Sequence, residues 1–127
     1  MRDQDGIATE RTSGVLVVEV RGRLDIDTVT QWTAVIEATL CELPGPHRLV
    51  IDLGQLEFLS ARGIRGLQRA FELCHERGIS GCLIANPGSA VEKVIRLTGL
   101  AGRVPVFSHR LAAIAAYQPT EMRWLLA

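Results

Sequence analysis

A chain of 127 residues, 47% of them apolar and with a formal net charge of zero, can bury one ordinary core without disulfide or metal staples. It has no basic run to neutralise a phosphate backbone and no apolar stretch near the ~20 residues that span a bilayer, so neither nucleic acid nor membrane is an expected partner. The three cysteines, Cys41, Cys74 and Cys82, cannot all pair and show no CxxC spacing, and the polar start M-R-D-Q-D-G lacks a signal-peptide core, so a reduced, cytoplasmic protein is expected.

In chain order, residues 1–6 read as a loose lead. Ile7 to Thr12 read as an edge strand, with Ser13-Gly14 as a tight turn. Val15 to Val20 make the second strand, after which Gly22 lets the backbone bend and Leu24 returns to the core. Asp27 is the expected cap of a helix from Thr28 to about Leu43, whose apolar stripe is Val29, Trp32, Ile36 and Leu40. Pro44-Gly45-Pro46 ends it. The run Leu49-Val50-Ile51, interrupted by Asp52 and closed by Leu53 and Gly54, reads as a strand buried on both faces. The apolar cluster Leu56, Phe58 and Leu59 leads into Ser60, where the period changes. Ile64, Leu67, Phe71 and Cys74 then mark one face of a helix from about Ser60 to Arg77, with Ser60 as cap and Gly78 as the terminating residue. A short strand from Gly81 to Ala85 follows, then a turn at Asn86-Pro87-Gly88. Ser89 caps a helix through Leu97 with Val91, Val94, Ile95 and Leu97 inward. Val104 to Phe107 is a last short strand, which Pro105 assigns to a sheet edge, and Leu111 to Tyr117 a final amphipathic segment. In the tail, residues 118–127, Trp124, Leu125 and Leu126 suit a lid over the core before a self-association patch or a partner contact. The order β-β-α-β-α-β-α-β-α predicts a single α/β domain over residues 1–127, with a mixed sheet of four to five strands and about four helices.

Several residues carry potential chemistry. His47, His75 and His109 lie in different elements, and Cys74 and His75, being sequence neighbours on a helix, point about 100° apart, so no nucleophile–base pair emerges. Catalytic residues, a metal site and a cofactor are not expected. Asp25, Asp27 and Asp52 lie near strand ends and could hold Mg²⁺ around a phosphoaccepting Asp52, but no basic group in the last strand would neutralise the product. Arg62, Arg65 and Arg69, at i, i+3 and i+7, form one solvent stripe whose first members oppose the helix macrodipole. Such a stripe suits either solubility or an acidic patch on a partner, and Gly66 is read as leaving room for close approach on that side. Ser60, at a helix N-terminus, could cap the helix or carry a phosphate.

The segment V-I-D-L-G-Q-L-E-F-L-S-A-R-G-I resembles the signature of STAS domains, the family that includes bacterial anti-sigma factor antagonists. That signature is an apolar strand ending in Asp-Leu, a short linker, then Phe, an apolar residue and Asp-Ser-Ser/Thr-Gly opening a helix. Upstream, V-E-V-R-G-R-L-D is similar to the family's segment ending at Asp25, and downstream the Arg77-Gly78 ending, the strand at Leu83 and Thr98-Gly99-Leu100 also fit, so the resemblance runs from about Val15 to Ala116. It departs at the regulatory turn: Ser60 stands at the family's Asp, Ala61 at the usual phosphorylated Ser, and Arg62 at the next Ser or Thr. The resemblance implies a STAS fold and a non-enzymatic antagonist that docks on an anti-sigma factor of the serine-kinase type and releases a sigma factor. It places Asp25, Ser60, Ala61, Arg62, Gly63, Arg65 and Arg69 on the docking surface. A STAS scaffold or ligand-sensing module without phosphoregulation is the alternative, followed by the receiver-like use of Asp52.

Overall fold

Ten hydrogen-bonded residues in a row, Val15–Leu24, form the strand on which the rest is assembled. The structure, a computed structural model, describes residues 6–42 and 45–116. Its strands are β1 (Gly6–Thr12), β2 (Val15–Leu24), β3 (Arg48–Asp52), β4 (Leu56–Leu59), β5 (Ser80–Ile84) and β6 (Val106–Phe107). Its helices are α1 (Val29–Leu40), α2 (Ala61–Glu76), α3 (Ala90–Leu97) and α4 (Arg110–Ala115), with a single 3₁₀ turn at Leu100–Gly102. β1 runs antiparallel to β2, and β2, β3, β5 and β6 follow in parallel. The expected mixed α/β sheet with four helices is therefore present. Among the described residues five strands, as expected, form the continuous sheet, and a sixth, Leu56–Leu59, pairs off it in parallel with the end of β2.

Alternation along the strands divides the core into two layers. Leu16, Val18, Val20, Leu49, Ile51 and Leu83 face α1, α2 and α3, whose contributions include Trp32, Ile36, Leu40, Leu67 and Ile95. Val15, Val17, Val50, Cys82 and Ile84 face the other way, toward Ala113 of α4. Every residue of β3 is buried, as its continuous β-branched run predicts for a strand covered on both sides. β6 lies at the edge of the sheet, directly after Pro105, where the missing N–H costs no ladder bond.

Three local expectations are corrected. Asp27 does not cap α1. Thr28 occupies the cap position without a side-chain bond, while the Asp27 N–H donates to the Asp25 carboxylate at 3.0 Å. Leu97 is 72% exposed: two residues beyond the buried Ile95 it lies about 200° around the helix, on the opposite face. Gly66 is buried, and a Cβ there would stand 2.6 Å from Val29 Cγ2, so it serves the packing of α2 on α1 and not an outer contact. Ser89 does cap α3, its hydroxyl accepting the Glu92 N–H at 3.1 Å. The Trp124-Leu125-Leu126 lid and Tyr117 lie outside the described residues.

On the α4 side, Asp52 Oδ1 accepts the Gly54 N–H at 2.9 Å and Oδ2 accepts Arg110 Nε at 2.8 Å. The same guanidinium reaches Glu10 at 3.3 Å and Glu19 at 3.4 Å, so one cation of α4 grips β1, β2 and β3 together.

Burial sets two of the thiols apart, outweighing for Cys82 the opposing pull of Arg48. It pushes the Cys74 thiol up to about 11 and raises that of Cys82, whereas Cys41 is exposed. Iodoacetamide at pH 8 should therefore label Cys41 readily and the other two only in denaturant. Mass mapping that found Cys74 or Cys82 modified in the folded protein would contradict the packing.

Candidate partner-docking corner

The corner is made where β2 changes neighbour. Up to Glu19 the strand pairs with β3; from Gly22 onward it pairs with β4. Gly22 adopts φ +84°, a conformation open to glycine and costly for side chains, and this lets the backbone swing from one partner to the next. The register slips there: Gly22 opposes Leu56 but Arg23 opposes Phe58, so Glu57 is the bulged residue. The bulge keeps Leu56 and Leu59 buried while turning Phe58 outward, 41% exposed.

β4 delivers Ser60 onto the end of β2. The Leu24 carbonyl accepts both the Ser60 N–H at 3.1 Å and the Ser60 hydroxyl at 3.2 Å. That hydroxyl in turn accepts the Gly63 N–H at 3.1 Å, the expected N-cap of α2. No capping carboxylate stands at Gly63, and none would fit: a Cβ there would lie 2.5 Å from the Leu24 oxygen and 2.8 Å from Leu59 Cδ1. Gly63 is thus buried and shapes the corner from beneath, while Ala61, Arg62 and Arg65 are exposed on it.

Beside it lies the turn that follows β2. The Asp25 carboxylate accepts Arg23 Nε at 3.1 Å and the Asp27 N–H at 3.0 Å, and Thr28 Oγ1 stands 3.4 Å away. The Arg23 hydrogen bond, with help from the backbone amides of Asp27 and Thr28, holds the Asp25 carboxyl below its ordinary range. Arg23 also lies over the Phe58 ring, 4.3 Å from its centroid. Ile26, at the tip of the turn, is 58% exposed. Arg23, Ile26 and Phe58 thus add an ordered cation and two apolar groups that sequence reasoning did not assign to the site. The sequence places Phe58 only in an apolar cluster with Leu56 and Leu59, and the bulge is what sets it apart from them.

The arginine stripe divides. Arg69 is drawn toward Glu72 at 3.6 Å and Glu76 at 3.8 Å on its own helix. Among the described residues, Arg62 and Arg65 have no ion-pair partner, and they stand in the first turns of α2, where the helix end is already positive.

Other candidate chemistry is dispersed. Among the described residues no three His, Cys, Asp or Glu side chains gather as a cation site, so Asp25, Asp27 and Asp52 do not form one. Asp52 is buried on the α4 side with both oxygens engaged, which removes the receiver-like geometry. The Ser60 hydroxyl is committed on both sides, to Leu24 and to Gly63.

Ser60→Ala removes one cap and one cross-strand tie, and should cost about 1–2 kcal/mol in urea unfolding. Gly63→Ala should cost at least as much, about 1–3 kcal/mol, because the added methyl meets backbone rather than a yielding side chain. Equal stability of Gly63→Ala and the parent would show that the corner is not packed as described.

The STAS domain family model matches residues 6–113. No curated protein sequence matches significantly. Among solved structures, an anti-sigma factor antagonist from Mycobacterium paratuberculosis is 29% identical, with 87% of this chain and 92% of that one covered and a TM-score of 0.78. The Bacillus cell fate determinant SpoIIAA, solved in its phosphorylated form, is 18% identical over 88% of this chain and 100% of its own, with a TM-score of 0.67. The STAS domain of a SulP transporter from Vibrio cholerae is 20% identical over 84% and 83%, with a TM-score of 0.64; at these last two identities the likeness is one of fold. The corner between β2 and α2 therefore belongs to a member of the STAS domain family.

Proposed function

We propose that this STAS domain is an anti-sigma factor antagonist whose docking surface is the corner at the start of α2. The observation that carries the reading is the pair Arg62 and Arg65: exposed, without ion-pair partners among the described residues, and set against their own helix dipole. Charges so placed gain nothing from the fold and are available to carboxylates of another protein. The 29% identical antagonist from Mycobacterium paratuberculosis supports the choice of partner class. In this reading Asp25 orders the neighbouring turn, Ser60 and Gly63 fix the corner, and Ala61, Arg62 and Arg65 make contact, with Arg69 at the margin. The partner is an anti-sigma factor of the serine-kinase type, bound in competition with a sigma factor, in the bacterial cytoplasm. The protein performs no reaction of its own.

Ala61 has no hydroxyl to modify, and the Ser60 hydroxyl is used as a cap. Binding at this corner is accordingly not switched off by phosphate there. The same observation favours the second reading, a STAS module that acts as a scaffold or sensor without a kinase partner.

Capture on the immobilised full chain from its native cells, with and without ATP, followed by mass-spectrometric identification, tests the proposal. Recovery of an anti-sigma factor, and release of its sigma factor on adding the chain, is expected. Reversing both charges, Arg62→Glu with Arg65→Glu, should weaken that complex tenfold or more, about 1.4 kcal/mol, with an unchanged circular dichroism spectrum. Unaltered affinity of the doubly reversed protein would move the interface elsewhere, and recovery of no anti-sigma factor would favour the scaffold.

A further inference from the structure

A half-open cavity of about 390 Å³ lies between the C-terminal half of α2 and the segment around the 3₁₀ turn, away from the corner at the other end of the helix. Its volume falls at the small end of the range of small-molecule sites. Phe71, Leu100 and Val104 supply the apolar part of its lining. The position of the Phe71 ring is set by β5: the ring occupies the space a side chain on Gly81 would fill, 2.6 Å from where its Cβ would stand. Leu100 is 1% exposed and belongs to the main core, so this part of the lining is fixed by the fold.

The polar lining carries both signs. Glu72 and Glu76 come from α2, and Arg103 from the residue that ends the 3₁₀ turn. Among the described residues Arg103 has no ion-pair partner. Among the described residues the two carboxylates are approached by Arg69 alone, at 3.6 and 3.8 Å, beyond good hydrogen-bond length, so their acceptor capacity is not saturated. A guanidinium on one element and carboxylates on another, joined by an apolar floor, are complementary to a molecule with a carboxylate, an ammonium group and an apolar body.

We propose that this cavity is a binding site for a free α-amino acid with an apolar or aromatic side chain. Its carboxylate would meet Arg103, its ammonium group Glu72 and Glu76, and its side chain would lie on Phe71, Leu100 and Val104. The site is independent of the docking corner and of the antagonist reading.

The test is titration of the isotope-labelled full chain, followed by amide chemical shifts, with L-phenylalanine and L-leucine. Phenethylamine and 3-phenylpropionate, each carrying one of the two charges, serve as half-ligands. Shifts confined to residues 68–76 and 100–104 are expected, with at least tenfold tighter binding of an amino acid than of either half-ligand. Arg103→Ala and the double variant Glu72→Gln with Glu76→Gln should each weaken binding roughly tenfold, the scale of a lost charge-assisted contact. Spectra unchanged elsewhere would show that the variants remain folded. Absence of groove shifts at millimolar amino acid, binding of a half-ligand as tight as the amino acid, or indifference to both variants overturns the proposal.

Discussion

The carbonyl oxygen of Leu24 joins strand, corner and helix. It takes both protons that Ser60 can offer, and it limits how closely α2 may start above β2. Because the oxygen ends a strand that is paired further back with β1 and β3, the first turn of α2 inherits the rigidity of the whole sheet. Glycine at position 63 follows from this geometry, since any side chain would collide with the acceptor that holds the cap. In the proposed docking such support would leave little ordering cost for the moment of binding.

Much of this architecture could be read from local chemistry. The β-branched run in β3, the serine caps of α2 and α3 and the proline at the β6 edge each express a short-range rule, and the structure obeys them. What could not be read depended on a partner distant in sequence. β4 is four residues long and exists because β2 bends at Gly22 to receive it; its bulge then breaks the alternation by which Phe58 would have turned inward. Gly66 lies only about 40° from Arg62 on a helical projection, so the projection alone grouped it with the outer face. The arrival of Val29 from α1 decided otherwise. Likewise Asp27, though it stands next to α1, does not cap it; its own N–H is taken up by the Asp25 carboxylate.

Charge is distributed unevenly along α2. Its second half balances Arg69 against Glu72 and Glu76, whereas its first turns carry Arg62 and Arg65 alone. A helix built for stability would reverse that order, placing acids at the amino end and bases at the carboxyl end. Ala61, between the cap and these arginines, adds neither bulk nor a hydroxyl to the corner. In the proposed docking this corner would attract its partner continuously, since position 61 has no hydroxyl through which a phosphate could repel it.

Arg110 gives the opposite side of the sheet a different character. Three carboxylates, one from each of the first three strands, converge on a single side chain of a six-residue helix. Like charges brought that near repel one another in its absence, so the guanidinium is a keystone as well as a fastener. Detaching this short helix would then do more than bare the valines behind it. It would also loosen the grip between neighbouring strands at their ends, making the helix's attachment and the sheet's cohesion one cooperative event.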